Sequence, residues 1–212
     1  MMKRLWSLPA LLTMLIAGPA AAQALDSLAR PCGSAPHELV CLGRLDVPEA
    51  RRVAFLEASR AAVDALYSPG FEADLRAFIV THARSGEHAA LWAGVESEAT
   101  IASLRRAIQG QDVDTVGGLR GWFSHIFFHN TAYDGQESGP ILFNRFALRR
   151  PVPSLANTIV HEVAHRIGLS HRWRGRSEAA RCEPPYVIGS LIEKAIVGPA
   201  WRPSRDDCSL LT

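Results

Sequence analysis

The chain has 212 residues, of which 48% are hydrophobic and 21% are charged. This composition is too apolar for an intrinsically disordered chain, and the length suits one domain with a single hydrophobic core. Lysine and arginine together number 23 against 21 acidic residues. Because these charges nearly balance, the net charge does not indicate nucleic acid or an anionic membrane as a partner.

Residues 1–24 have the pattern of a secretory signal peptide. Lys3 and Arg4 precede an apolar run and then a stretch of small residues, which is the order of such a leader, with cleavage expected after Ala22 or Ala24. The apolar run is shorter than the roughly 20 residues that a membrane span needs. We therefore predict an exported protein, periplasmic or secreted, with no membrane association after cleavage.

All four cysteines lie beyond the predicted leader. An even number of cysteines in an exported chain favours disulfides, and four cysteines allow three pairings. Proximity along the chain favours Cys32–Cys41 and Cys182–Cys208.

Three helices are predicted before residue 111. The first begins at the capping signal Asp46-Val-Pro48-Glu49 and ends at Ser68-Pro69-Gly70, because proline and glycine interrupt the helical pattern there. The second covers about Phe71 to Ala83, and the third runs from about Glu87 to Gly110.

The spacing of apolar residues changes in the second half of the chain. Trp122 to His129 and Ile141 to Leu148 are short apolar runs, which predict two strands that can pair as a hairpin. A further helix is expected from its N-cap Ser154 to Gly168, and a final helix at about Val187 to Val197. The predicted fold class is α+β: a helix-rich N-terminal part, a short sheet, a helix that carries the site, and an irregular C-terminal part with a final helix.

The most informative segment runs from His161 to His171 and has the pattern HExxHxxGxxH. His161 and His165 are about one helical turn apart, so both imidazoles can reach one metal ion. Gly168 can adopt the positive φ that ends a helix, which would let His171 return as a third ligand. Three protein ligands leave one position open, as in catalytic zinc sites. Glu162 is then the expected general base, acting on zinc-bound water.

An alternative zinc site would replace His171 by a glutamate from a later segment. Glu178 and Glu183 lie within range along the sequence, but neither explains Gly168, and His171 is the favoured third ligand.

Five arginines between residues 166 and 181 form a basic cluster near this motif. They are interpreted either as a solvated face or as a site for anionic groups of a substrate. The cluster consists of Arg166, Arg172, Arg174, Arg176 and Arg181.

The undecapeptide resembles the zinc-binding signature of the metzincin metallopeptidases, the group that includes astacins, serralysins and matrix metalloproteinases. Carried over residue by residue, the resemblance implies that His161, His165 and His171 bind one catalytic Zn²⁺ and that Glu162 is the base. The resemblance covers these eleven residues and not the whole chain, and we predict a single metallopeptidase-like domain with a zincin-like fold over residues 25–212. In such enzymes the strand before the helix holds the substrate as an added strand, and the run that ends at Leu148 is the candidate.

One feature of the metzincins is absent from this sequence. Those enzymes carry a methionine in a turn beneath the zinc, downstream of the third histidine, whereas this chain has no methionine after Met14. Residues 184–189 are the expected substitute floor. In some members a tyrosine beyond the third histidine assists at the metal, which implies that Tyr186 donates its hydroxyl to a developing oxyanion. The alternative for Tyr186 is an aromatic residue of the core.

These features predict an exported zinc-dependent endopeptidase whose partners are protein or peptide substrates. Two alternatives remain at this point: a zinc amidohydrolase acting on cell-wall or small amide substrates, and a noncatalytic zinc-binding or peptide-binding exported protein. Glu162 argues against the second alternative, because pure binding does not require a base beside the metal.

Overall fold

The computed structural model describes residues 40–42, 49–83, 88–109, 111–116, 132–133, 140–172 and 177–211. The predicted leader, Cys32 and the predicted strand Trp122 to His129 lie outside these ranges. The helices follow in chain order as α1 (Glu49–Leu66), α2 (Pro69–Phe78), α3 (Ser97–Ala107), α4 (Val152–Arg166), α5 (Glu178–Arg181) and α6 (Pro184–Val197). A π-helical turn at Ile79–Ala83 continues α2, and short 3-10 turns occur at Ala147–Arg149 and Gly198–Ala200.

In the part of the chain that the structure describes, four short strands form one mixed sheet. They are β1 (Val40–Leu42), β2 (Gln111–Val116), β3 (Ala132–Tyr133) and β4 (Ile141–Asn144), and their order in the sheet is β1-β2-β4-β3. β2 pairs parallel with β1 and with β4, while β3 pairs antiparallel with β4. With helices covering most of the rest of the described chain, the fold is α+β, as predicted.

The helix predictions in the first half are largely confirmed. α1 ends at Leu66, and Ser68 begins α2 by accepting a hydrogen bond from the Phe71 N–H at 3.2 Å, with Pro69 in the first turn. The third helix is shorter than predicted, because the chain makes turns near residues 88–94 and Gly94 has a φ of +80°.

Three boundaries around the site differ from the prediction. Ser154 is not an N-cap: the cap lies three residues earlier, at Pro151, and the Ser154 carbonyl accepts a hydrogen bond from the Thr158 hydroxyl. The strand predicted to reach Leu148 ends at Asn144, whose side chain accepts the Phe146 N–H in a turn. The final helix begins at Pro184 rather than Val187, because prolines fit the first turn of a helix.

The sheet also changes the predicted place of a substrate strand. β4 is hydrogen-bonded on both sides, since Val113 and Asp114 of β2 face Ile141 and Leu142 while Tyr133 of β3 faces Leu142 from the other side. β4 is therefore not an edge strand, and the described sheet ends on that side at β3, which contacts α4.

α4 is the central helix of the described structure. Leu155, Ile159 and Val163 project from one side of it and are at most 2% exposed, and it packs chiefly against α6 and α1. Asn157 of α4 contacts Gly189 of α6 closely enough that a Cβ at Gly189 would lie 2.3 Å from the Asn157 Oδ1. This packing fixes the distance between the two helices that border the site.

Candidate metal centre

The three histidines of the motif converge at the C-terminal end of α4. His161 and His165 lie one turn apart on the helix, and their ring centroids are 5.1 Å apart. The His171 ring lies 5.1 Å from that of His161 and 4.7 Å from that of His165. One nitrogen from each ring lies within 4.8 Å of the others, so the three side chains could hold a single metal ion.

Gly168 makes this convergence possible by ending the helix. Its φ is +87°, a conformation that side-chain-bearing residues rarely adopt. The Leu169 N–H donates to the Ala164 carbonyl at 3.1 Å, and the Gly168 N–H donates to the His165 carbonyl at 3.0 Å. This pair of bonds is the Schellman motif, and it reverses the chain so that His171 returns to the helix.

Each of the three rings also bonds to an oxygen acceptor. The His165 Nδ1 lies 2.7 Å from the Leu169 carbonyl oxygen, and the His171 Nδ1 lies 2.7 Å from the Glu183 Oε2. The His161 ring hydrogen-bonds to the backbone of Pro185, where only a carbonyl oxygen is available. A ring that donates one N–H in this way keeps a lone pair on its other nitrogen, which is the arrangement found in metal-ligating histidines.

The donor set and its spacing suit zinc. The Nε2 atoms of His161 and His171 are 3.2 Å apart, and two ligands of a tetrahedral zinc ion at the usual Zn–N distance are separated by roughly 3.3 Å. Two lone pairs facing each other at this distance repel unless a cation or a proton lies between them. Three neutral imidazoles are also a ligand set that zinc accepts readily.

Electrostatics keep the His161 ring neutral. Burial lowers the pKa of His161 well below its ordinary value, and the neighbouring His165 and His171 lower it further. His161 is therefore neutral near pH 7, and only a neutral imidazole can offer a lone pair to a metal.

The two residues predicted to act beside the metal lie in different environments. Glu162 follows His161 on α4 and is only 5% exposed. Tyr186 is 37% exposed, and its ring centroid lies 4.6 Å from that of His161 and 4.8 Å from that of His171. The alternative that Tyr186 is a core aromatic residue is therefore wrong, because its ring lies against the histidines at the surface.

Neither glutamate proposed as an alternative ligand points to the histidine nitrogens that converge. Glu183 contacts the outer nitrogen of His171 and is fully buried. The Glu178 carboxylate accepts the Ser209 N–H and pairs with Arg181. Burial would raise the pKa of Glu178, but the hydrogen bonds from Ser209 and Arg181 outweigh burial and lower this pKa to about 2.

Glu178 also lies near two sulfur atoms. The possible ligand atoms of Glu178, Cys182 and Cys208 are within 4.8 Å of one another. Both sulfurs are joined in the Cys182–Cys208 disulfide, which confirms that predicted pairing and leaves no thiolate for a metal. The second predicted pairing involves Cys32 and lies outside the described ranges.

Two arginines of the cluster make contacts within the protein. Arg172 donates to the Ala90 carbonyl at 2.6 Å, and Arg181 pairs with Glu178. Arg174 and Arg176 lie outside the described residues.

The segment expected to lie beneath the metal is helical. Residues 184–189, the expected substitute for the methionine turn, belong to α6 rather than to a loop. Sequence reasoning missed the two contacts that this region makes, from Pro185 to His161 and from Glu183 to His171. No short-range pattern could have revealed them, because both join segments that are brought together only by the packing of α4 on α6.

No protein-family model matches the chain, and neither the curated protein sequences nor the solved structures include a significant match. Among the described helices, none combines the length and apolar character needed to cross a membrane.

Proposed function

We propose that this chain is an exported zinc-dependent endopeptidase that hydrolyses peptide bonds by direct attack of water. The observation that carries the proposal is the convergence of three imidazoles, each with one nitrogen directed at the cluster and each bonded to a protein oxygen. The proposed ligands are His161, His165 and His171, and the proposed base is Glu162. Export rests on the leader pattern of residues 1–24.

When bound, zinc would lower the pKa of a water molecule to about 7 and polarise the scissile carbonyl. Glu162 accepts a proton as the water oxygen bonds to the carbonyl carbon. It then delivers this proton to the amide nitrogen as the C–N bond breaks, so that an acid and an amine leave. Burial of Glu162 keeps its carboxylate largely out of bulk water, which strengthens its interaction with the groups that react.

Tyr186 contributes a hydrogen-bond donor on the exposed side of the histidines. Its ring stands beside His161 and His171, and it is exposed enough to meet a bound substrate. Its hydroxyl donates to the substrate oxygen as negative charge develops there, which lowers the barrier for the attack.

The sheet supports a peptide as the substrate. β3 is the last strand of the described sheet on the side of α4, and it contacts that helix. An extended peptide can add to such an edge through main-chain hydrogen bonds. We therefore place the substrate strand next to β3, rather than next to β4 as the sequence suggested.

The test is cleavage of a fluorescently labelled unfolded protein by the purified wild type and by Glu162→Gln. Wild type should bind one zinc ion and cleave the substrate in a chelator-sensitive manner. Glu162→Gln should keep the zinc and lose roughly 10²–10⁴-fold in kcat/KM. Glu193→Gln is the matched control and should leave cleavage unchanged, because Glu193 bonds to Asn157, one turn before His161 on α4, and glutamine keeps an acceptor oxygen for that bond.

Other outcomes would overturn the proposal in distinct ways. Full activity in Glu162→Gln would exclude its role as the base. Tight zinc binding without cleavage of any protein would favour the amidohydrolase or the noncatalytic binding protein, and hydrolysis of small amides would distinguish these two.

A further inference from the structure

Glu183 is a buried carboxylate that contacts two consecutive residues of the loop after α4. Its Oε2 lies 2.7 Å from the His171 Nδ1, and its Oε1 accepts the Arg172 N–H at 2.7 Å. The side chain of Glu183 is 1% exposed. A charge removed from water to this extent is costly unless it is paired and hydrogen-bonded, so these contacts call for an explanation.

Capping of α6 does not explain Glu183. The residue occupies the N-cap position, where a carboxylate usually accepts N–H groups of the first helical turn. Its side chain makes no such bond. The carboxylate instead reaches across to the segment that carries His171.

His171 is the ligand candidate that most needs such support. His161 and His165 are held by the backbone of α4, whereas His171 follows the helix in a segment without regular secondary structure and its side chain is 30% exposed. Glu183 restrains this segment at both the ring of His171 and the backbone of Arg172.

We propose that Glu183 is a positioning residue that fixes the ring and the tautomer of His171 and thereby sets the metal affinity of the site. The proposal rests on the proposed zinc centre. By accepting a proton at Nδ1, the carboxylate keeps the lone pair on Nε2, the atom that faces His161 at 3.2 Å, and it makes that nitrogen a more basic ligand.

A carboxylate is required here, because both partners are N–H donors. Glutamine has nearly the same shape, but only one of its two terminal atoms is an acceptor. In Glu183→Gln, either the His171 ring or the Arg172 N–H therefore faces an amide NH₂. The variant should therefore either shift His171 away from the tautomer that has its lone pair on Nε2, or release the loop from its contact with residue 183.

The experiment is a zinc titration of metal-free protein against a chromophoric chelator. We expect Glu183→Gln to weaken zinc binding roughly 10–100-fold. Glu193→Gln is the control. Glu193 lies on the same helix and bonds to Asn157, not to a histidine, so the zinc affinity of this variant should stay within about twofold of wild type. Equal affinity in wild type and Glu183→Gln would overturn the proposal.

A double-mutant cycle separates positioning from general support of the fold. If Glu183 acts through His171, Glu183→Gln should change zinc affinity little further in a His171→Ala background. A full additional loss of affinity in that background would show that Glu183 acts elsewhere and would overturn the proposal.

A measurement on wild type keeps the proposal testable if the variant does not fold. Nitrogen chemical shifts of the His171 ring in the metal-free protein should place the proton on Nδ1, and a proton on Nε2 would overturn the proposal. Failure of wild type to bind zinc would instead overturn the proposed function, whereas tight wild-type binding that is insensitive to Glu183 would overturn this inference alone.

Discussion

At the scale of single residues, the histidine cluster is held by oxygen atoms from three separate places. The Leu169 carbonyl follows the helix end, the Pro185 carbonyl comes from the first turn of α6, and the Glu183 carboxylate comes from its cap. Contacts within the protein therefore orient the three rings before a metal ion binds. Such preorganisation lowers the entropy cost of binding a metal, because the side chains need not be ordered when it arrives.

Tyr186 offers a test of the chemistry that is independent of metal binding. Tyr186→Phe keeps the ring against His161 and His171 but removes the hydroxyl. We expect kcat for peptide hydrolysis to fall roughly 10²-fold, as when one donor to a developing oxyanion is lost. Zinc affinity should not change. The measurement is steady-state cleavage together with zinc titration.

An unchanged kcat in Tyr186→Phe would mean that the tyrosine contributes only packing beside the histidines. Tyr186→Ala provides the comparison, because it removes both the ring and the hydroxyl. If the ring matters for packing, only this second variant should alter zinc affinity.

The difference between what the sequence could and could not predict is also clear at this scale. His161, His165 and Gly168 are related by local helical geometry, so their spacing alone predicts that two rings share a face and that the helix ends soon after them. Glu183 is 12 residues from His171 and its role depends on tertiary packing. The sequence placed it only among possible ligands, whereas the structure shows it bonded to the outer nitrogen of His171.

At the scale of elements, the site depends on how α4 lies against α6. Asn157 contacts Gly189 and donates to Glu193 at 2.9 Å, while His161, one turn later on α4, bonds to Pro185, one turn earlier on α6. The two helices are therefore antiparallel in this region. Their close approach at Gly189 brings the first turn of α6 to the histidines.

Gly189→Ala should disturb this helix pair. The added Cβ would lie 2.3 Å from the Asn157 Oδ1 and 3.0 Å from the Asn157 carbonyl oxygen. The second atom belongs to the backbone and cannot rotate away. We expect the free energy of unfolding to fall by about 1–3 kcal/mol, the usual cost of overpacking, as measured by urea denaturation.

Gly70→Ala is the matched control for that substitution. Gly70 lies in α2, and a Cβ there meets nothing within 4 Å. Its free energy of unfolding should be unchanged or higher by up to about 1 kcal/mol, because alanine favours a helix more than glycine does. Equal stability of the two variants would show that α4 and α6 can separate without cost.

Helices were more predictable than strands in this chain for a physical reason. α1, α2 and α4 carry apolar residues at helical spacing next to proline, glycine or capping signals, all of which are local. β1 has only three residues, and β2 reads Gln-Asp-Val-Asp-Thr-Val, in which Val113 is 1% exposed. Such strands are defined by parallel partners far along the chain, which a local pattern does not contain.

At the scale of the whole molecule, segments that are far apart in the sequence meet next to the loop that carries His171. The Trp92 indole donates to the Cys182 carbonyl at 2.9 Å, and Arg172 donates to the Ala90 carbonyl. These bonds connect the turn after α2 to the loop that carries His171 and to the residue before Glu183. The site is thus supported by both halves of the chain, and loosening one of these segments should affect the others.

The disulfide Cys182–Cys208 joins this region to the C-terminal segment, with 26 residues of sequence separation and both cysteines fully buried. Replacing both by alanine should lower the free energy of unfolding by about 3–4 kcal/mol, because the unfolded chain gains the freedom that the closed loop removes. Since the unfolded state then also expands, the urea m-value should rise. A loss below about 1 kcal/mol with an unchanged m-value would contradict this account, because it would mean that the contacts around Cys182 hold the segment without the covalent bond.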